Sequence, residues 1–286
     1  MLVFGGTRSS GLAWAVSKAL NSEVGKSEIK TFPDGEKYVK LGNKVAGIEC
    51  AVIQSVRTND DFVELLLMLD ALRDGGATQV HAVTPYMAYM RQDKRFTEGE
   101  ALSAKTVLKV IHELADSITM VNCHFLNEGG EAVFNHVNFM NLDAIPLLVQ
   151  EMAQHAKVPV VIAPDKGSVG YAKEAATLLD CEFNHLSKKR LSGTEVTIKS
   201  KELDVKGKDV IILDDIISTG GTIVEAVKII RGWHPASISV GCVHGLFLNG
   251  TDSFKGVADR LISTDTLDNP VGKVSVAPII AADLRR

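Results

Sequence analysis

No surplus of positive charge, no closely spaced cysteine pair and no long apolar run occurs in this sequence of 286 residues. The formal charge is -4 and the pI is near 6.1. A nucleic-acid footprint normally shows a clustered basic excess, so nucleic acid is not an expected partner, and any anionic ligand must be met by local charge. The four cysteines (Cys50, Cys123, Cys181, Cys242) are far apart and form no CxxC pair. That pattern points to neither a disulfide framework nor a zinc knuckle and fits a reducing cytoplasm. No apolar stretch approaches the roughly 20 residues needed to span a bilayer; Phe62 to Leu69 is broken by Glu64 and bounded by Asp61 and Asp70. Met1-Leu2-Val3-Phe4-Gly5-Gly6 has no basic region or long apolar segment, so no signal peptide is expected. A soluble cytoplasmic protein with no membrane partner is the expectation.

What the sequence does contain is alternation. At 30.8 kDa the chain has room for one large or two ordinary domains of roughly 100 to 200 residues. Strand-like apolar runs alternate with helix-like segments: Met1 to Phe4 then Leu12 to Leu20, Cys50 to Gln54 then Asp61 to Arg73, Val80 to Thr84 then Ala104 to Ala115, and Ile118 to Asn122. A similar series follows the centre, with helix-like Leu147 to His155, strand-like Val158 to Ala163, then Tyr171 to Leu179, Val210 to Leu213, Ile223 to Arg231 and Ser237 to Val243. Repeated βα punctuation predicts an α/β fold of two tandem units, each a mostly parallel sheet flanked by helices. The boundary is expected near Asn141-Leu142-Asp143, giving domains 1–142 and 143–286. The last strand-like piece, Val274 to Ile280, suits either half.

The most informative stretch is Val210-Ile211-Ile212-Leu213-Asp214-Asp215-Ile216-Ile217-Ser218-Thr219-Gly220-Gly221-Thr222. A β-branched apolar run suits a strand buried on both faces of a parallel sheet, and the residues from Ile223 onward have helical apolar spacing. The turn between them therefore lies at a helix amino end, where free N–H groups and the positive end of the helix dipole favour a phosphate. Gly220 and Gly221 allow close backbone approach, and Ser218, Thr219 and Thr222 add hydroxyl donors. Ionised Asp214 and Asp215 only accept hydrogen bonds, so their natural partners are sugar hydroxyls. The segment resembles the phosphoribosyl-binding loop of the phosphoribosyltransferase superfold.

Three first-half segments carry less on their own. Phe32-Pro33-Asp34-Gly35-Glu36 reads as a Pro-Asp-Gly turn with an apolar anchor, or as an aromatic face and acceptors for a nucleobase. Tyr89-Met90-Arg91-Gln92-Asp93-Lys94-Arg95 reads as a solvated basic turn, or as a polyphosphate contact through Arg91 and Lys94; the polar Arg95 to Glu100 stretch suits a flap that excludes water. His124 closes the Ile118 to Asn122 segment at the sheet edge where function is expected, and a lone histidine there is structural or a metal or phosphate ligand.

Taken in this order and followed by the 210–222 loop, these segments resemble the ribose-phosphate diphosphokinase family, also called phosphoribosyl pyrophosphate synthetases, over essentially the whole chain. The resemblance implies two phosphoribosyltransferase-like domains with ATP at their junction and the adenine meeting a Phe-x-Asp-Gly-Glu loop from a neighbouring subunit. It assigns Phe32, Asp34, Glu36, Arg91, Gln92 and Asp93 to ATP, and His124 and Asp165 to Mg²⁺. Asp214, Asp215, Ser218, Thr219, Gly220, Gly221 and Thr222 fall to ribose 5-phosphate. Lys188 and Arg190, otherwise part of a solvated basic loop, become the catalytic cations that stabilise charge developing on phosphoryl oxygens. A shared site further implies a homo-oligomer, at least a dimer.

Two departures from the family pattern are visible. Asn122 stands where many relatives carry an acidic residue two positions before the metal histidine, and Ser218 where many carry Asp. The expected reaction is transfer of the diphosphoryl group of ATP to O1 of ribose 5-phosphate, giving AMP and 5-phosphoribosyl 1-diphosphate. An ordinary phosphoribosyltransferase, or a catalytically silent regulatory homologue, are the rival readings.

Overall fold

The computed structural model describes residues 1–190, 196–199 and 204–286, and the chain separates into two compact units. The first comprises Met1–Asp143 together with Thr266–Asp268 and Ser275–Arg286; the second comprises Ala144–Asp265 with Asn269–Val274.

In the first unit the elements follow in the order β1 (Leu2–Gly5), α1 (Ser10–Leu20), β2 (Glu23–Val24), β3 (Ser27–Thr31), β4 (Lys37–Leu41), β5 (Glu49–Ile53), α2 (Asn59–Asp74), β6 (Gln79–Thr84), α3 (Ser103–Leu114), β7 (Ser117–Val121), β8 (Gly130–Phe134) and β9 (Val137–Leu142). The seven-stranded sheet has the order β2-β1-β5-β6-β7-β9-β8. All its pairs are parallel except β8 with β9. β3 and β4 form a separate antiparallel hairpin that packs on α2. The helices bury stripes at three- and four-residue spacing: Leu65, Met68, Leu69 and Leu72 on α2, and Ala104, Val107, Leu108 and Ile111 on α3. These join Val52, Val80, Ala82, Ile118 and Met120 of the sheet in one core, as an amphipathic helix laid on a sheet requires.

The second unit runs α4 (Ile145–Ala153), β10 (Pro159–Ala163), α5 (Val169–Leu179), β11 (Phe183–His185), β12 (Ser187–Arg190), β13 (Val196–Lys199), β14 (Asp209–Ile217), α6 (Gly221–Arg231), β15 (Ser237–Gly245), β16 (Arg260–Thr264) and β17 (Gly272–Val274). Its six-stranded sheet, in the order β11-β10-β14-β15-β16-β17, is parallel throughout; β12 and β13 pair separately and antiparallel. Val210, Ile211, Ile212 and Leu213 are all buried, which is what a central strand covered on both faces demands.

The sequence reading needs three corrections. Val274 to Ile280 is not a strand: β17 ends at Val274 and a helix, α7 (Ala277–Asp283), follows with Pro278 in its first turn. Proline is preorganised for that position and breaks a strand ladder. Next, α7 packs against α1 and belongs to the first unit, whereas the expected division assigned all of 143–286 to the second. Finally, β14 does not stop at Leu213 but continues to Ile217, because the equally long β15 pairs alongside it as far as Ile217↔Gly245. Asp214 and Asp215 therefore belong to the strand and not to the turn.

The two sheets share a topology. In each, the first strand (β1 or β10) is followed by one on its outer side (β2 or β11), and the chain then crosses to the inner side (β5 or β14) and proceeds outward. The crossing makes a switch point in each sheet, β1/β5 and β10/β14, and ligands of open α/β sheets bind beyond the carboxyl ends of the strands at such a point.

Candidate functional site

The β10/β14 switch point gathers three of the six acidic site residues singled out in the sequence, Asp165, Asp214 and Asp215. Beyond β10, Pro164-Asp165-Lys166-Gly167-Ser168 turns into α5. Asp165 Oδ1 closes this turn by accepting the amides of Gly167 at 2.8 Å and Ser168 at 3.3 Å, a common use of aspartate in tight turns. Across the switch point, Ser168 Oγ donates to Asp214 Oδ1 at 2.8 Å, and the Asp215 amide reaches the same oxygen at 3.0 Å. Asp215 is only 6% exposed. Burial, followed by the charges of Asp215 and Asp165, pushes the Asp214 carboxyl up from 3.8 to about 7, against the lowering effect of the Ser168 bond. Concentrated negative charge in a desolvated place calls for a ligand rich in donors.

The turn after β14 is held from behind and open in front. The Leu246 and Phe247 amides donate to Ile217 O at 3.0 and 3.2 Å, and the Leu248 amide to Ser218 O at 2.9 Å. Gly220 has φ +83°, and a Cβ there would lie 2.7 Å from the Phe254 ring. Phe254 is itself braced edge-on by Phe247. Only glycine fits, both for its backbone and for its space. As the N-cap of α6 it brings no side chain to the first-turn amides, which keep the unpaired character of a helix amino end. Thr219, Gly221 and Thr222 are exposed and Ser218 is partly so. Free amides, hydroxyls and the helix dipole together can hold a dianionic phosphate.

Lys188 and Arg190 fall on β12, where they pair in register with Ile198 and Val196. Their side chains lie outside the described part of the structure, as do residues 191–195 and 200–203.

In the first unit, Phe32, Asp34 and Glu36 occupy the tip of the β3/β4 hairpin. The turn closes through Gly35 N to Phe32 O at 2.9 Å and Phe32 N to Glu36 O at 2.8 Å, with Asp34 Oδ1 accepting the Glu36 amide at 3.2 Å. Phe32 is 46% exposed and meets Tyr38 edge-on, so an apolar ring face is on offer. Next to the tip, Lys37 pairs at 3.3 Å with Glu64, which is fully buried and also accepts from Thr7 and Gln54. The hairpin is thus tied to the body of its unit through a charge.

Arg91, Gln92 and Asp93 follow β6, with Arg91 exposed. Gln92 spends its amide within the turn, donating to Lys94 O and to Glu100. Glu100 also accepts from Phe96 N, Thr97 N and Thr97 Oγ1. These bonds, led by that from the Phe96 amide, hold its carboxyl below the usual range. His124 is exposed beyond the end of β7. The departure at Asn122 has a local reason: its φ is +39°, a conformation that asparagine tolerates, and its Nδ2 donates to Asp143 Oδ1 at 2.8 Å.

Sequence reasoning missed Ser168, Glu64 and the Arg8/Asp61 pair. At the β1/β5 switch point, Asp61 takes Arg8 Nε at 3.0 Å and caps α2 through Thr58. The legible signal was the Thr58-x-x-Asp61 spacing of a capping box.

Residues 1–114 match the N-terminal domain of ribose phosphate pyrophosphokinase, and residues 141–265 match the phosphoribosyl transferase domain. The ribose-phosphate pyrophosphokinase of Methanothermobacter thermautotrophicus is 40% identical over 98% of both chains. Ribose-phosphate pyrophosphokinase 2 of Archaeoglobus fulgidus is 39% identical over 96% of both. The crystal structure of phosphoribosylpyrophosphate synthetase from Mycobacterium smegmatis superimposes with a TM-score of 0.84 at 28% identity, covering 99% of this chain and 97% of that one. With an open helix amino end beside the Asp214 and Asp215 pair at its second switch point, and with these likenesses along its full length, the chain belongs to the ribose-phosphate pyrophosphokinase family.

Proposed function

We propose that the chain transfers the β,γ-diphosphoryl group of ATP to O1 of ribose 5-phosphate, releasing AMP and 5-phosphoribosyl 1-diphosphate. The observation that carries this reading is the pairing of an uncapped α6 amino end behind Gly220 with the partly buried Asp214 and the buried Asp215. The Ser218 to Thr222 turn takes the 5-phosphate on backbone amides and hydroxyls. Asp214 and Asp215 accept from the 2- and 3-hydroxyls, fixing the sugar so that O1 is aimed at the β-phosphorus. O1 forms the new P–O bond as the bond from the β-phosphorus to the α-phosphate oxygen breaks; that oxygen leaves on AMP and the O1 proton passes to solvent. Such a transfer depends on positioning and charge neutralisation more than on covalent intermediates.

Phe32 offers a stacking face for adenine, with Asp34 and Glu36 as acceptors, and Arg91, Gln92 and Asp93 complete the nucleotide contacts. Lys188 and Arg190 supply positive charge to the diphosphoryl oxygens as the transition state forms. Asp165 leaves Oδ2 outside its own turn, and hard carboxylate oxygen suits Mg²⁺, which keeps waters and binds through one or two carboxylates plus substrate phosphates. His124 would help hold one Mg²⁺, carried on the ATP phosphates, and Asp165 a second one, near the ribose. When bound, Mg²⁺ neutralises charge on the transferred group. A hairpin tip that completes a neighbour's site makes the enzyme at least a homodimer, and four free cysteines fit a reducing cytoplasmic setting. Among the described residues no helix is long and apolar enough to cross a membrane.

The test is to incubate the protein with Mg²⁺, ATP and ribose 5-phosphate and resolve the products. AMP and 5-phosphoribosyl 1-diphosphate in equal amounts are expected. ADP would overturn the diphosphoryl reading, and unchanged ATP despite binding would favour a silent homologue.

A further inference from the structure

Ser168 occupies the N-cap of α5, where a serine ordinarily turns its hydroxyl oxygen onto a first-turn amide. It makes no such bond. Its side chain, only 1% exposed, points across the switch point to Asp214 Oδ1 at 2.8 Å, with a longer approach of 3.4 Å to Asp165 Oδ1. A hydroxyl has one proton to give, and the shorter contact to Asp214 is the one it serves. The helix has thus given up a cap, and the hydroxyl has gone to a carboxylate on the neighbouring strand.

The consequence lies in which oxygen is engaged. The Ser168 hydroxyl and the Asp215 amide both donate to Oδ1 of Asp214. With Oδ1 engaged from two directions, the carboxylate is held in one orientation; Oδ2 takes no part in these two bonds and is the oxygen offered to a ligand, beside the Asp215 carboxyl that also meets this side chain. A hydrogen bond to an ionised group is among the stronger ones available to a side chain, and here it spans two elements that the backbone does not otherwise register at this point.

We propose that Ser168 is a positioning residue for sugar recognition: it holds Asp214 in the rotamer that presents Oδ2 to a ribose hydroxyl. This rests on the reading of Asp214 as a sugar-hydroxyl acceptor. Ser168 touches neither phosphate nor nucleotide in this account, so its effect is confined to one substrate.

The experiment is a double-mutant cycle in the full chain with Ser168→Ala, Ser168→Thr, Asp214→Asn and Ser168→Ala/Asp214→Asn. It reads KM for each substrate, kcat, melting temperature, and ribose 5-phosphate binding by calorimetry. Ser168→Ala is expected to raise KM for ribose 5-phosphate about tenfold, the size of one charge-assisted hydrogen bond, and to leave KM for ATP within about twofold. Ser168→Thr, which keeps the hydroxyl, is expected to restore most of the difference. In the Asp214→Asn background, Ser168→Ala is expected to add nothing further, because the two side chains act as one unit.

Equal rises in both KM values, an unchanged KM for ribose 5-phosphate, or the same tenfold effect with Asp214 already removed would each overturn the proposal. Should Ser168→Ala fail to fold, Ser168→Gly, which also removes the hydroxyl and suits an N-cap, carries the test in its own cycle with Asp214→Asn: a sugar-specific rise in KM that vanishes in the Asn background supports the proposal, and no rise, or one that persists, overturns it. Calorimetry separates this inference from the broader reading. Ser168-dependent sugar binding in a protein that forms no AMP would sink the diphosphokinase activity and leave the role of Ser168 standing.

Discussion

The two switch points of this molecule are built on the same strand order and finished in opposite ways. At β1/β5 the chain supplies its own anion. Asp61 sits at the third position of α2, where its carboxylate accepts the Arg57 and Thr58 amides, the Thr58 hydroxyl and the Arg8 guanidinium, while Thr58 caps the helix in return. At β10/β14 nothing equivalent is present among the described residues. Gly220 stands where Thr58 stands, without a side chain, and the acids Asp214 and Asp215 lie on the strand. Satisfying a helix amino end internally yields a structural corner; leaving it open, beside carboxylates that desolvation makes costly, yields a place suited to the proposed ligand, which carries both a phosphate and hydroxyls.

Removing the acid at the open switch point breaks the comparison most sharply. Asp214→Asn is expected to lower kcat/KM for ribose 5-phosphate at least 100-fold, by analogy with the loss of any buried charged group that meets a ligand donor. It should also stabilise the fold. The carboxyl titrates at about 7 in place of 3.8. Between those values the folded state keeps a proton that the unfolded state has released, so stability falls as pH rises through that window. The amide removes this penalty, on the order of a few kcal/mol, and the melting temperature at pH 8 is expected to exceed that of the parent protein by several degrees. Equal or lower melting temperatures at pH 8 would mean that Asp214 is not held at a cost.

A smaller effect is expected from adding a methyl group at the open cap. Gly220→Ala places a Cβ 2.7 Å from the Phe254 ring at φ +83°, a left-handed conformation that alone costs about 1 to 2 kcal/mol for a residue with a side chain. The ring or the turn must shift, and the first amides of α6 shift with it. A three- to thirtyfold rise in KM for ribose 5-phosphate is expected, with KM for ATP unaffected. Identical KM values in steady-state assays would dissociate the Gly220 turn from the sugar phosphate.

How much of this was legible in the sequence follows from how local each feature is. The βα alternation, the 210–222 turn and the hairpin tip at Phe32 to Glu36 depend on residues close in sequence, and their elements appear within a few residues of where periodicity puts them. The end of β14 was not legible, because it is set by pairing with β15 and no local signal marks it. The piece from Val274 to Ile280 misled because a short apolar run does not separate strand from helix, although Pro278 pointed to a helix start. The ties that finish each switch point, Ser168 to Asp214 across 46 positions and Arg8 to Asp61 across 53, exist only once the sheet has formed. Sequence pointed to an anion-favouring turn at 218–222; it could not show that the matching corner of the other unit is already filled.

That filled corner yields the smallest effect and the cleanest contrast. Asp61 is 2% exposed. Burial alone would raise its carboxyl, yet the bonds from Thr58 and Arg8 outweigh burial and hold it below the ordinary value. A depressed carboxyl adds stability that is complete above the unfolded value and is lost as pH falls through the folded one. Asp61→Asn is therefore expected to cost about 2 kcal/mol near neutrality, the size of a charge-assisted bond at a buried site, and to flatten the decline of melting temperature on the acid side below pH 4. Thr58→Ala removes one half of the same cap for about 1 kcal/mol. Neither change touches the open switch point, so the KM for ribose 5-phosphate is expected to stay within twofold at temperatures where the variants are folded. A KM shift as large as that of Gly220→Ala would mean that the closed corner also contributes to substrate binding and that the two switch points do not divide structure from function as proposed.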